Sequence, residues 1–302
     1  METLVVIALI GTAIIIFIRI FSGDETREKP RDNVFRDPMP SSVQVEVLGK
    51  HVEDRISNFH ILRKSRHQAA LEAHKARLDE IRLRRRENFL INVWYGLMGL
   101  PSAPQPESES HEERIWKAGM EGEAVAGAAL RACLPDLSLL FSGYRNKKGE
   151  IDFICVTEKY ILAVEIKNLN GTIKVSGDRW TRDKYDKYGN RVEVDLPIRD
   201  RGGRSPSSQL NEPADFLEHF MRSRGHETLK IRRVVVLTHP NARLESVNGM
   251  TIDGVCRVGE LARLLKTLAP SMENGVPVET VGRLVRKDHA FHSAPPPRRR
   301  AV

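Results

Sequence analysis

Asp152, Glu165 and Lys167 are the residues of this chain whose types and spacing could do chemistry together. They lie in Gly149 to Asn168, GEIDFICVTEKYILAVEIKN, which reads as two alternating strands joined by a tight turn at Glu158-Lys159. With Thr157 facing Tyr160 across a two-residue turn, Asp152 stands opposite Glu165 and Glu150 opposite Lys167. Side chains alternate along a strand, so these four charged groups are expected on one face, with the other face wholly apolar. Two carboxylates directly opposite one another are destabilising unless a cation lies between them. Hard divalent ions such as Mg2+ or Mn2+ are held by one or two carboxylates together with phosphate oxygens and water. A lysine two residues beyond the second carboxylate could hold a water near that ion and neutralise charge on a scissile phosphate. Metal-assisted phosphodiester hydrolysis is the chemistry this set could perform. A solvated sheet face with scattered salt bridges is the plain alternative.

Several elements must surround such a hairpin. Glu112 to Leu134 reads as an amphipathic helix, with Ile115 and Trp116 anchoring its start. Gly119 and Gly122 weaken a helix by up to about 1 kcal/mol each, which points to close packing there. Glu123 on this helix could face the acidic pair and add a metal ligand or orient a bound water. Leu137 to Tyr144 is a first strand, ending in a basic turn with Arg145, Lys147 and Lys148. Gly171 to Val175 is a short strand, and Arg179 to Val194 suits an exposed hairpin. Arg199, Arg201 and Arg204 form a glycine-softened basic loop. Ser205 can cap the helix that follows, with Pro206 at its first position and Gln209 in its first turn. Arginines beside a helix N-terminus suit backbone phosphate. Ile231 to Thr238 is a β-branched run for a buried strand; an edge strand over 250–258 and a closing helix over 259–268 complete the unit.

The 302-residue chain carries a formal charge of +8, which favours anionic partners, nucleic acid or acidic lipid. Cys133, Cys155 and Cys256 are far apart with no C-x-x-C, against a disulfide framework or zinc knuckle. There is no phosphate-cradling glycine loop. Residues 4–21 are almost uninterruptedly apolar and approach the roughly 20 residues a bilayer span needs. Positive charge appears only after Ile18, at Arg19, Arg27, Lys29 and Arg31. That predicts an uncleaved single-pass anchor in a bacterial inner membrane, with the catalytic domain cytoplasmic. The organisation read from this is an anchor over 1–22, a linker over 23–50, a basic amphipathic helical region over 51–100, a Pro/Ser linker over 101–111, an α/β domain over 112–270, and an extension over 271–302 with a disordered basic tail. The helical stretch over 51–88 could lie on anionic lipid or pair with a second copy; a solvated connecting helix is the plain alternative.

With these residues in place, 119–268 resembles a NERD domain, the nuclease-related domain, of the PD-(D/E)XK nuclease-like superfamily. The likeness rests on G-x-x-G-E at Gly119 to Glu123, G-E-I-D at Gly149 to Asp152, V-E-I-K-N at Val164 to Asn168, Gly171 with Trp180, and the Pro206/Gln209 helix start. It implies a restriction-endonuclease-like α-β-β-β-α-β core, a mixed central sheet flanked by helices. It implies Asp152 and Glu165 as metal ligands, with Glu123 beside them, Lys167 as catalytic lysine, and Glu123 and Gln209 as accessory positions. The function implied is an Mg2+- or Mn2+-dependent DNA nuclease at the membrane, with Arg145, Lys147, Lys148, Arg199, Arg201 and Arg204 gripping backbone. A non-catalytic nucleic-acid-binding scaffold is the alternative.

Overall fold

A computed structural model describes residues 42–294. Its centre is a six-stranded mixed sheet of β1 (Gln44–Val47), β2 (Leu139–Asn146), β3 (Gly149–Val156), β4 (Ile161–Lys167), β8 (Ile231–Leu237) and β10 (Gly254–Arg257), adjacent in that order. β2, β3 and β4 run antiparallel in succession, while β4, β8 and β10 are parallel. A second sheet holds β7 (Arg191–Pro197), β6 (Arg179–Tyr185), β5 (Gly171–Ser176) and β9 (Ala242–Asn248). The helices are α1 (His51–Glu87), α2 (Phe89–Met98), α3 (His111–Cys133), α4 (Pro206–Arg222), α5 (Leu261–Thr267) and α6 (Val278–Ser293).

The central sheet is buried on both faces. Ala126 and Leu130 of α3 and Leu261 and Leu265 of α5 pack on Phe153, Leu162, Val164 and Val236. Leu210, Ala214 and Leu217 of α4 and Val281 and Val285 of α6 pack on Ile154, Ala163, Val235 and Leu237 on the other side. Strands covered on both faces read as continuous apolar runs, as VVVL of β8 does. The expected mixed sheet flanked by helices is found, with the expected edge strand at one end, as β10, and an additional strand, β1, at the other.

The hairpin register is the expected one. Thr157 N–H donates to Tyr160 O at 2.9 Å, and Val156 through Phe153 pair with Ile161 through Val164. Ile154 and Ala163, which alternation places on the side of the charged groups, are buried in the core. One feature differs from the expectation: the alternation slips once. Ile151 lies in the same core cluster as Ile154, whereas Phe153 lies in the opposite one. The slip sits where β2 carries Gly143 at φ +67° and the pairing omits Gly143 and Asp152. A Cβ on Gly143 would lie 2.3 Å from the carbonyl oxygen of Gly49, so only glycine fits this crossing.

Other expectations need correction. Residues 44–47, read as linker, form β1, and 242–248 forms β9. The expected edge strand is confined to 254–257. The region over 271–302 contains α6, packed on the core. α1 is a rod roughly 55 Å long on which only Ile56 and Ile81 are buried among apolar residues, not an amphipathic helix with a continuous stripe. Its charge runs from Glu53 and Asp54 in the first turn to Arg84, Arg85 and Arg86 in the last, as the helix dipole favours.

The single-pass inner-membrane placement is overturned by the helices themselves. Among the described residues no helix is long and apolar enough to cross a membrane. α1 is long enough but densely charged, and the apolar α2, with 10 residues, reaches only about 15 Å. The expected anchor over 4–21 and the tail from 295 lie outside the described residues.

Candidate active site

Glu165 and Lys167 are two residues apart on β4 and therefore share a face. Lys167 Nζ donates to Glu165 Oε1 at 2.6 Å and to Gln209 Oε1 at 2.8 Å. Gln209 is delivered by the first turn of α4. Ser205 caps that helix by accepting from Ser208 N–H, and Pro206 opens it. Gln209 is itself held, its Nε2 donating to Arg204 O at 3.1 Å. Trp180 Nε1–H donates to Ser207 Oγ at 2.6 Å, tying β6 to the same turn.

Asp152 faces this pair from β3. Freed from the ladder at the slip, its Oδ2 accepts the Ile166 N–H at 2.6 Å, so the carboxylate stands where a backbone carbonyl would. Glu165 is only 6% exposed. Burial pushes the Asp152 carboxyl well above the ordinary range, and the charges of Glu165 and Glu123 add to this against the pull of Lys167 and the Ile166 N–H. Glu123 is pushed up to about 7, first by burial, then by Glu53, Glu165 and Glu150. Burial works against charge on Lys167, yet Glu165 and Asp152 hold its ammonium above the ordinary lysine range.

These groups line one cavity of about 480 Å³. It brings together Glu123, Asp152, Glu165, Lys167 and Gln209, with Arg145, Glu150 and Arg204 at its edge. Lys147, Lys148, Arg199 and Arg201 are not in its lining. The two arginines at the mouth are neutralised by the protein's own carboxylates, Arg145 by Glu150 at 2.8 Å and Arg204 by Asp200 at 2.8 Å. Arg201, outside the lining, pairs with Glu112 at 2.5 Å. Glu150 thus pairs with Arg145 on β2 and not with Lys167, because β3 has a neighbour on each side and Arg145 lies directly opposite.

Three lining residues were not foreseen. Trp116, expected to anchor the helix start, borders the cavity with the Arg55 guanidinium 5.7 Å from its ring centre, and its neighbour Ile115 is 57% exposed. Val52 comes from the first turn of α1. Asn168, the last letter of VEIKN, donates to Ala118 O at 2.7 Å and pins α3 over the end of β4. Gly122 completes that seam, since a Cβ there would lie 2.7 Å from Thr238 Oγ1 and 3.1 Å from Asn168 Cβ. Gly119 instead has nothing within 4 Å and opens on the cavity.

The hard oxygen donors suit a divalent cation of the Mg2+ class. Among the described residues no three His, Cys, Asp or Glu side chains gather as a ready-made metal group. The arrangement therefore offers Asp152 and Glu165 as a pair, with Glu123 across the cavity. A buried acid pair with its counter-ion lysine can hold and polarise water or a phosphate ester.

No curated protein and no solved structure matches the chain. The family model described as the nuclease-related domain matches residues 118–238, about two fifths of the chain. That span runs from the Ala118 carbonyl that receives Asn168 to the Thr238 that meets Gly122, and it contains Glu123, Asp152, Glu165, Lys167 and Gln209. Residues 118–238 of this chain thus match the nuclease-related, or NERD, domain, in keeping with a PD-(D/E)XK-like nuclease domain.

Proposed function

We propose that this site hydrolyses phosphodiester bonds of nucleic acid, DNA in the first instance, with a divalent cation, Mg2+ or Mn2+. The observation that carries the reading is the close placement of Asp152 and Glu165 with only Lys167 to offset them. Burying like charges without full compensation is costly; Asp152 and Glu123 are pushed upward first by burial, and the neighbouring carboxylates add to it. A cation would relieve it.

A bound divalent ion supplies Lewis-acid polarisation of a phosphoryl oxygen and a water acidified toward neutrality. Asp152 and Glu165 would hold it, each keeping an oxygen not engaged by Ile166 N–H or Lys167. The rest of its shell would come from water and the substrate phosphate, as is usual for Mg2+. Lys167 is held protonated by its acidic neighbours, so it donates hydrogen bonds and charge to the phosphate or the attacking water; it does not accept a proton. Gln209 fixes the ammonium in that position. Glu123, pushed up to about 7, is the group able to take up a proton from water near neutral pH. Arg145 and Arg204 can exchange their carboxylate partners for backbone phosphate.

Cleavage of linear, nicked and single-stranded DNA with Mg2+ or Mn2+ tests this. Asp152→Ala and Lys167→Ala are each expected to lose at least about 100-fold in rate, the scale of one positioned electrostatic group. Metal-dependent cleavage that is unchanged in either variant rejects the assignment.

A further inference from the structure

The parallel strands β4, β8 and β10 end in one row. Lys167 is in register with Leu237, and Leu237 with Arg257. Neighbouring strands are about 4.8 Å apart, so the Arg257 backbone lies about 10 Å from that of Lys167. Ligands of parallel sheets bind outside the carboxyl ends of the strands, and a chain of cavities lies along this row. One of about 330 Å³ is bordered by Leu237, Thr238, His239 and Arg257. A second, of about 480 Å³, is bordered by Arg243, Arg257, Glu260 and Arg263. A third, of about 450 Å³, is bordered by Asn170, Arg243 and Arg257. Arg257 is common to all three.

Here the charge balance is the reverse of that at the mouth of the active cavity. Glu260 serves both Arg257, at 3.0 Å, and the exposed Arg263, at 3.9 Å. Arg243 has no carboxylate partner among the described residues. Three guanidinium groups thus share one carboxylate, whereas Arg145, Arg201 and Arg204 each have their own. Guanidinium forks match phosphate oxygens bidentately.

We propose that Arg243, Arg257 and Arg263 form a phosphate track that holds the nucleic-acid backbone leaving the Asp152/Glu165/Lys167 site. At about 3.4 Å of rise per nucleotide in one strand, 10 Å places Arg257 about three nucleotides from the reacting phosphate. The track deepens the nuclease reading above and names its partner as the sugar–phosphate backbone, with no base readout.

The test measures binding. A fluorescein-labelled 20-base-pair DNA duplex is titrated with the full chain in EDTA between 50 and 200 mM KCl, and log K is plotted against log salt. Arg243→Gln/Arg263→Gln leaves the Arg257–Glu260 pair intact. It is expected to make the slope shallower by about 1.8, a roughly 12-fold smaller loss of affinity across that range. Arg77→Gln/Arg283→Gln removes the same charge elsewhere on the surface and is expected to leave the slope unaltered. An unchanged slope in the first variant overturns the track, and so does an equal change in the second, which would mean only diffuse net charge. Duplex cleavage by the unaltered protein with Mn2+ is read separately. Its absence beside a shallower slope sinks the nuclease reading and leaves the track standing; cleavage beside an unchanged slope sinks the track alone.

Discussion

Replacing Glu123 by Gln should stabilise the metal-free protein, and only above pH 5. Glu123 is pushed from the ordinary 4.5 to about 7, by burial first and then by Glu53, Glu165 and Glu150. Between those two values the folded state binds more protons than the unfolded one, so stability falls as pH rises through the window and levels off above it. The displacement is worth about 3 kcal/mol, which solvent reaching this half-buried side chain reduces to about 2 kcal/mol. Asp152 is displaced in the same direction, so it adds to the fall. Lys167, displaced upward, is charged in both states throughout this range and adds no slope. Urea unfolding in EDTA, followed by circular dichroism from pH 4.5 to 8, should show the unaltered protein losing stability. Glu123→Gln should lose less, with the two about 2 kcal/mol apart at pH 8, or about 4–8 °C in Tm, and nearly equal at pH 4.5. Mn2+ should narrow the gap at pH 8, since a ligand of the folded state stabilises by mass action. The reasoning fails if the two proteins show the same pH dependence without metal.

Other perturbations separate positioning from packing. Gln209→Ala removes the 2.8 Å acceptor of the Lys167 ammonium, worth about 1.5 kcal/mol. It should slow cleavage roughly tenfold with Tm little moved, as steady-state rates and a melting curve will show. Gly122→Ala must displace Thr238 or Asn168 and should destabilise by about 1–2 kcal/mol after the helix-propensity gain. Gly119→Ala, facing open space, should stabilise by up to about 1 kcal/mol; urea midpoints compare the pair. Trp180→Phe strands the buried Ser207 hydroxyl and should cost about 2 kcal/mol, read from the same midpoints.

The hairpin was legible because its information is local. Alternation over 153–166 and a turn at 158–159 fix which residues face each other, and Thr157 does meet Tyr160. The cap at Ser205 and Pro206 was legible for the same reason. What could not be read comes from distant parts of the chain. The partner of Glu150 depended on which strand lies on the other side of β3. Val52 reaches the cavity from an element over 90 residues away from Glu150 in sequence, and nothing in its own neighbourhood marks it. Trp116 has the apolar character of a core residue, and only the fold shows it bordering a polar cavity. The slip at Asp152 was hidden too, because it needs Gly143 on β2 and the crossing of Gly49 at once.

The sheet order has a consequence for anyone cutting this chain. The segment that the family description covers ends inside the sheet. Its outermost members there would be β2 and β8, because β1 and β10 come from residues before 118 and after 238. A fragment trimmed to 118–238 would therefore present two raw rows of backbone donors and acceptors, one on each flank. Such rows recruit other chains. The unit that recognises itself as a family and the unit that keeps its flanks shut are different lengths of the same polypeptide.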